Sequence, residues 1–161
     1  LSSTMNLGRP KTLAARQRVM AVNPLVEVDA VQAELTVENA RQLLGECDVA
    51  VDCLDNIPAR LVLQEAAKEA GIPVVHGAVA GWLGRICVIR PGEDLLTLLY
   101  PEPDEMRGEE RLAGTLSFTA ALTASWQSAE TVKLLLGKSG LQAEILEVDL
   151  MAASVSKFTI S

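Results

Sequence analysis

The sequence predicts an α/β fold: a Rossmann-like, mostly parallel sheet that continues into antiparallel strands. Two observations point to the parallel part. Short apolar runs alternate with helix-periodic segments over residues 11–76, and the links between them are short, as in parallel strands with crossover helices. A third observation points to the rest. After Gly77 the apolar runs follow one another with only turn residues between them, as antiparallel strands do.

The elements follow in order. Residues 11–22 place Leu13, Ala14, Val19, Met20 and Val22 at helical spacing. Pro10 suits the first turn, and Asn23-Pro24 stops the helix. Val26, Val28 and Ala30 alternate with Glu27 and Asp29 and predict a half-buried strand. Thr36 is placed to cap a helix over 37–44 that carries Glu38 in its first turn. Cys47–Cys53 reads as a strand buried on both faces, the parallel type. Asp55-Asn56 can cap a helix over 57–70 with an apolar stripe of Leu61, Val62, Ala66 and Ala70, closed by Gly71. Ile72–His76 is another buried strand. Residues 85–90 and 95–100 read as strands joined at Pro91-Gly92. Residues 101–114 read as an exposed loop and 116–137 as a long helix. Residues 143–149 and 153–160 read as a closing hairpin.

Composition sets the outer bounds. The chain has 161 residues, 49% hydrophobic and 22% charged, which suits one domain with a Leu/Val/Ala core and excludes disorder and collagen. A net charge of -7 gives no general attraction to phosphate backbones, so nucleic acid is not an expected partner. The charge is uneven. Residues 1–23 hold Arg9, Lys11, Arg16 and Arg18 without an acid, whereas residues 93–110 hold seven acids against Arg107 alone. Each run is either a solvated face or, respectively, an anion-facing start and an acidic surface loop. Cys47, Cys53 and Cys87 form no CxxC pair; all lie in apolar runs, so buried, inert thiols are expected. Leu116–Leu136 carries Gln127, Glu130 and Lys133 and is too polar to span a membrane. These features lead us to expect a soluble cytoplasmic protein.

In an open α/β sheet ligands bind beyond the carboxyl ends of the parallel strands. That rule selects Asp52-Cys53-Leu54-Asp55-Asn56, where a strand gives way to a helix N-terminus that favours anions. A carboxylate beside a phosphate needs a cation between them, so Asp55 there implies Mg²⁺. The alternative is that Asp55 or Asn56 only caps the helix. The glycine run Gly77, Gly81 and Gly84 is either a phosphate loop or a bend where the sheet changes direction; its spacing is not the dinucleotide fingerprint. His76 is the sole histidine, packed and hydrogen-bonded or else catalytic. Trp82 and Trp126 suit a core or an interface. Lys11, at a helix start, is an exposed cation or a phosphate contact.

The ordered set of motifs resembles the ThiF/MoeB/HesA family, relatives of the ubiquitin-activating enzymes. The motifs are Gly8-Arg9-Pro10-Lys11, Asn23-Pro24, Asp52-Cys53-Leu54-Asp55-Asn56 with Arg60, Gly71-Ile72-Pro73, the glycine run from Gly77 to Gly84, and Ser128–Lys133 in the long helix. The resemblance implies ATP-dependent adenylylation of the C-terminal Gly-Gly carboxylate of a small ubiquitin-like sulfur-carrier protein. By position, Lys11 and Asp55 would be the catalytic pair. Lys11 would contact ATP phosphates, and Asp55 would hold the Mg²⁺–phosphate group. Asp52, Leu54, Asn56 and Arg60 would complete the nucleotide corner, Arg60 in a possible structural role. The carrier's tail would lie beneath 101–114, and homodimers are common in the family.

Some family features have no counterpart here. The glycine-rich nucleotide loop, the ribose-binding acid and the Asn/Arg motif are expected before residue 1. The chain therefore reads as a single partial domain over 1–161, the C-terminal part of an adenylation domain, inactive by itself. Leu98–Pro101 stands where many members carry the first zinc-binding CxxC, so no zinc is expected. No cysteine in 101–114 could carry sulfur. Two rivals remain: a non-catalytic module that binds a carrier or partner subunit, and half of a nicotinamide-binding dehydrogenase.

Overall fold

A computed structural model of the chain describes residues 3–101 and 114–159. The chain forms two compact units, Leu1–Glu34 and Leu35–Ser161.

In the first unit a 3-10 turn, Thr4–Asn6, precedes helix α1, Lys11–Val22. Pro10 occupies the N-cap position, one residue before the predicted helical turn, and the Asn23 N–H closes the helix on the Val19 carbonyl at 2.8 Å. The predicted apolar face exists in spacing only: α1 has no buried residue, and Leu13, Val19, Met20 and Val22 are exposed. The strand expected over 26–30 does not form. Asn23 instead turns the chain, accepting the Leu25 N–H on its side chain and the Val26 N–H on its carbonyl. Alternation makes a strand only where a neighbour takes up its backbone groups, and none among the described residues pairs with 26–30.

The second unit is built on a sheet of β1 (Ala50–Asp52), β2 (Val74–Ala80), β3 (Leu83–Ile89), β4 (Glu144–Asp149) and β5 (Ser154–Thr159), ordered as in the chain. It passes from parallel to antiparallel as the sequence predicts: β1 runs parallel to β2, and every later pair is antiparallel. The helices are α2 (Val37–Leu44), α3 (Ile57–Ala70), α4 (Leu95–Leu99) and α5 (Ser117–Leu135). The two faces of the sheet pack into separate cores because successive strand side chains alternate. Val74, Cys87 and Ile89 join Ala40, Leu63, Ala67 and Leu96 from α2, α3 and α4. Val75, Ile86 and Val88 join Leu146, Val148 and the half-buried Leu122 and Trp126 of α5.

Four sequence expectations change here. Residues 95–100 are not a strand; Leu95–Leu99 is the short helix α4. Both edges of β3 are already taken, by β2 and β4, so 95–100 has no free edge of β3 to pair with. Leu95 and Leu96 bury themselves under α3 instead, with the Leu96 N–H donating to Gln64 Oε1 at 2.7 Å. The strand within Cys47–Cys53 is only Ala50–Asp52, and Val51 is 44% exposed, so it is not covered on both faces. The inward face of α3 is Ile57, Arg60, Leu63, Gln64, Ala66 and Ala67; of the expected stripe only Ala66 is buried. Of the three cysteines only Cys87 is buried, whereas Cys47 and Cys53 are exposed.

The bend reading of the glycine run holds. β2 and β3 form a hairpin that turns at Gly81-Trp82, with Gly81 at φ +56°, a left-handed conformation that glycine adopts freely. No helix among the described residues is long and apolar enough to cross a membrane.

Candidate active site

The site gathers where β1 ends and α3 begins. Asn56 settles the capping question: its Oδ1 accepts the Ala59 N–H at 2.9 Å, and Gly71 closes α3 in the left-handed region at φ +71°. Asp55 is therefore not used as the cap. Its carboxylate is exposed and touches only its neighbour's side-chain amide, Asn56 Nδ2 to Asp55 Oδ1 at 3.3 Å, among the contacts of the described residues.

Beneath Asp55 lies a buried polar network. Asp52 is fully buried and is the register partner of His76 across the parallel pair. Its Oδ2 lies 2.6 Å from His76 Nδ1, and its Oδ1 accepts the Leu54 N–H at 2.9 Å. Arg60, 3% exposed, forks Nε and Nη2 onto the Leu54 carbonyl at 3.2 and 2.7 Å. Its Nη1 donates to Tyr100 Oη at 3.2 Å, and that hydroxyl faces His76 Nε2 at 3.4 Å. From the other face of the sheet, Gln127 Nε2 of α5 donates to the carbonyls of Asp52 and Val75 at 2.8 and 3.1 Å. The segment leading into Asp55 is thus held from three directions.

A cleft of about 310 Å³ opens beside this corner, lined by Asp55, Cys53, Gly77, Thr115, Ala120 and Thr123 among others. Small side chains from α5 and the β2 glycine leave its walls low. The Cys53 thiol sits in its wall; partial desolvation and the adjacent Asp52 carboxylate push its pKa up. Burial, with Asp52 and Glu93 adding, pushes the Cys87 thiol up to about 12.

The predicted residues distribute as follows. Asp52, Leu54, Asp55, Asn56 and Arg60 come together in the second unit; Lys11 is the exposed first residue of α1 in the first unit. Asp52 and Arg60 face inward and Asp55 outward, so the first two hold the corner and the third is available to a ligand. His76 takes the packed, hydrogen-bonded role. Trp82 stays 41% exposed against Phe118, ring centroids 5.0 Å apart, while Trp126 packs on the α5 side of the core. The expected acidic loop falls almost wholly on 102–113, outside the described residues. Sequence reasoning missed Tyr100 and Gln127. The signal for Gln127 was weak: it is one polar residue among several in 117–135, where Ser, Thr, Glu130 and Lys133 also stand.

Asp55 offers a single carboxylate, and no cluster of three or more His, Cys, Asp or Glu among the described residues could hold a metal ion by itself. That fits Mg²⁺ arriving with phosphates, which it binds through one or two carboxylates plus the substrate's oxygens.

The sequence profile of the ThiF family matches residues 1–161. A sulfur carrier protein adenylyltransferase of Thermus thermophilus is 35% identical over 169 residues, covering 99% of this chain and 62% of that protein. The SAMP-activating enzyme E1 of Haloferax volcanii is 32% identical, covering 91% of this chain and 55% of that protein. The chain therefore spans little more than half the length of these relatives. Among solved structures, Escherichia coli MccB with ATP superposes with a TM-score of 0.76 at 13% identity, over 100% of this chain and 51% of that one. At that identity the likeness shows the shared fold.

Proposed function

Since the chain belongs to the ThiF family, we propose that the protein adenylylates the C-terminal Gly-Gly carboxylate of a small ubiquitin-like sulfur-carrier protein with ATP. The observation that carries this reading is Asp55: an exposed carboxylate, spared from capping and set on a hydrogen-bonded corner beside a cleft of about 310 Å³ lined by small side chains. The names of the Thermus and Haloferax relatives support the choice of carrier.

The chemistry needs little covalent help. A carboxylate oxygen of the carrier attacks the α-phosphorus of ATP, the bond from that phosphorus to the bridging oxygen breaks, and pyrophosphate leaves with the electron pair. The product is an acyl-adenylate. The protein's task is to align the reactants and to offset charge as it moves onto pyrophosphate. In this reading Asp55 would hold Mg²⁺, which would supply positive charge at the phosphates. Lys11 contributes a phosphate contact. The set Asp52, Leu54, Asn56 and Arg60, of which Asp52 and Arg60 are buried, fixes where Asp55 points, and the cleft takes the tail. The active form is a homodimer, for which Val132, Leu135 and Leu136, exposed at the end of α5, offer apolar surface.

The test is ATP–pyrophosphate exchange by the full-length protein with a Gly-Gly-tailed carrier. Exchange that depends on the carrier and on Mg²⁺ is expected. Binding of the carrier without exchange would instead favour a scaffold of the same fold.

A further inference from the structure

The long helix α5 presents a polar stripe to the sheet. Its buried residues are Thr119, Thr123, Gln127 and Glu130, where an amphipathic helix would place apolar side chains. Thr119 bonds the Gly81 carbonyl at 2.9 Å, at the β2–β3 turn, and Glu130 accepts the Leu141 N–H at 3.0 Å, ahead of β4. Gln127 differs in what it holds. One amide nitrogen bridges the carbonyls of Asp52 and Val75, on adjacent parallel strands, at the point where the chain leaves β1 for the site. It is 4% exposed, and it lines the same cleft as Asp55.

Its seat is shaped for it. At Gly77 an added Cβ would fall within 2.6 Å of Gln127 Nε2, far inside van der Waals contact. On the opposite face of the sheet His76 holds the Asp52 side chain. The Asp52 peptide is therefore fixed on both faces, its carbonyl by α5 and its carboxylate by β2. Asp55 lies three residues further on, and the intervening Leu54 is tied at both its N–H and its carbonyl.

We propose that Gln127 is a positioning residue for the adenylylation step: by clamping the Asp52 carbonyl through the sheet, it sets the placement of Asp55 in the cleft. This rests on the adenylylation reading above. Reacting groups displaced by about 1 Å lose roughly a hundredfold in rate, even when the change lies away from the chemistry. An amide that bridges two carbonyls holds such a position with one side chain, and a shape-matched apolar side chain cannot.

The experiment compares the full-length wild type with Gln127→Met, which keeps the volume and loses the donors, and with Gly77→Ala, which displaces the same amide from its seat. Carrier-dependent pyrophosphate exchange is measured per mole of folded protein, well below each melting midpoint. Both variants should lose about ten- to a hundredfold in kcat with the KM for ATP little changed, and the Leu54 amide should exchange its hydrogen faster. In the wild type the Gln127 side-chain amide protons should be protected from exchange. Unprotected protons overturn the clamp whether or not the variants fold. Active wild type with variants of lowered melting temperature but unchanged kcat would reduce Gln127 to packing and overturn the proposal. A wild type without exchange on any Gly-Gly-tailed carrier would count against the adenylylation reading, and the protection of the Gln127 amide would still report on the clamp.

Discussion

Asp52 and His76 face each other across the only parallel strand pair of the described sheet, Oδ2 to Nδ1 at 2.6 Å, both shut off from solvent. Asp52 stands three residues before the exposed Asp55. A buried carboxylate is tolerable only with partners. His76→Ala removes the closest one and leaves Asp52 with the Leu54 N–H and Arg60 Nε at 3.8 Å. A loss of about 2–4 kcal/mol is expected in urea denaturation. A loss below about 0.5 kcal/mol, the scale of ordinary surface changes, would show that the pair carries no weight.

Asp55 and Asn56 should separate function from stability. Asp55→Ala is expected to abolish pyrophosphate exchange and to change stability by no more than about 0.5 kcal/mol, because an exposed side chain outside the cap is removed. Asn56→Ala removes the cap on the Ala59 N–H and should cost about 1 kcal/mol. Retained exchange in Asp55→Ala would refute its proposed role.

Gly84 gives a packing test apart from the site's hydrogen bonds. A Cβ there would collide with Thr123 Oγ1, so Gly84→Ala should destabilise by about 1–3 kcal/mol. Thr123 Oγ1 is buried and has no hydrogen-bond partner among the described residues. Adding Thr123→Ala should therefore relieve the clash and recover much of the loss. Simple addition of the two single effects would exclude a direct clash.

The thiols predict a pH pattern. Cys47 is exposed and should alkylate with iodoacetamide in the native protein. Cys53 is also exposed, but its raised pKa keeps thiolate scarce at neutral pH, so its rate should keep climbing above the ordinary thiol value of about 8.5. Cys87 should stay unmodified until the chain unfolds. The sign for stability follows from its protonated native form. The contribution is full below the unfolded-state pKa and is lost as pH rises from there through about 12. Labelling of native Cys87 at pH 8, read by mass spectrometry, would contradict its burial.

Part of this was legible in the sequence. Helix α3 is legible to the residue, since Asn56 and Gly71 are local capping signals that need no distant partner. The β4–β5 hairpin and the shift from parallel to antiparallel strands are legible for the same reason: periodicity and turn residues act over short spans. Residues 26–30 and 95–100 were misread because an apolar alternation is only a candidate strand. Whether it becomes one depends on a neighbour that takes up its backbone groups: none among the described residues pairs with 26–30, and β3 has no free edge for 95–100.

The sequence by itself carried the family resemblance, the span of α3 and the choice of Asp52 to Arg60 as a candidate site, because each is written in adjacent residues. Only the tertiary structure decided how that segment divides its labour. Asp52 turns inward to His76, Arg60 grips Leu54, and Asp55 is left facing the cleft. Tyr100 and Gln127 lie 40 and 67 residues beyond Arg60 in the chain. Burial brings them to the same corner, since buried polar groups must find partners wherever the fold supplies them.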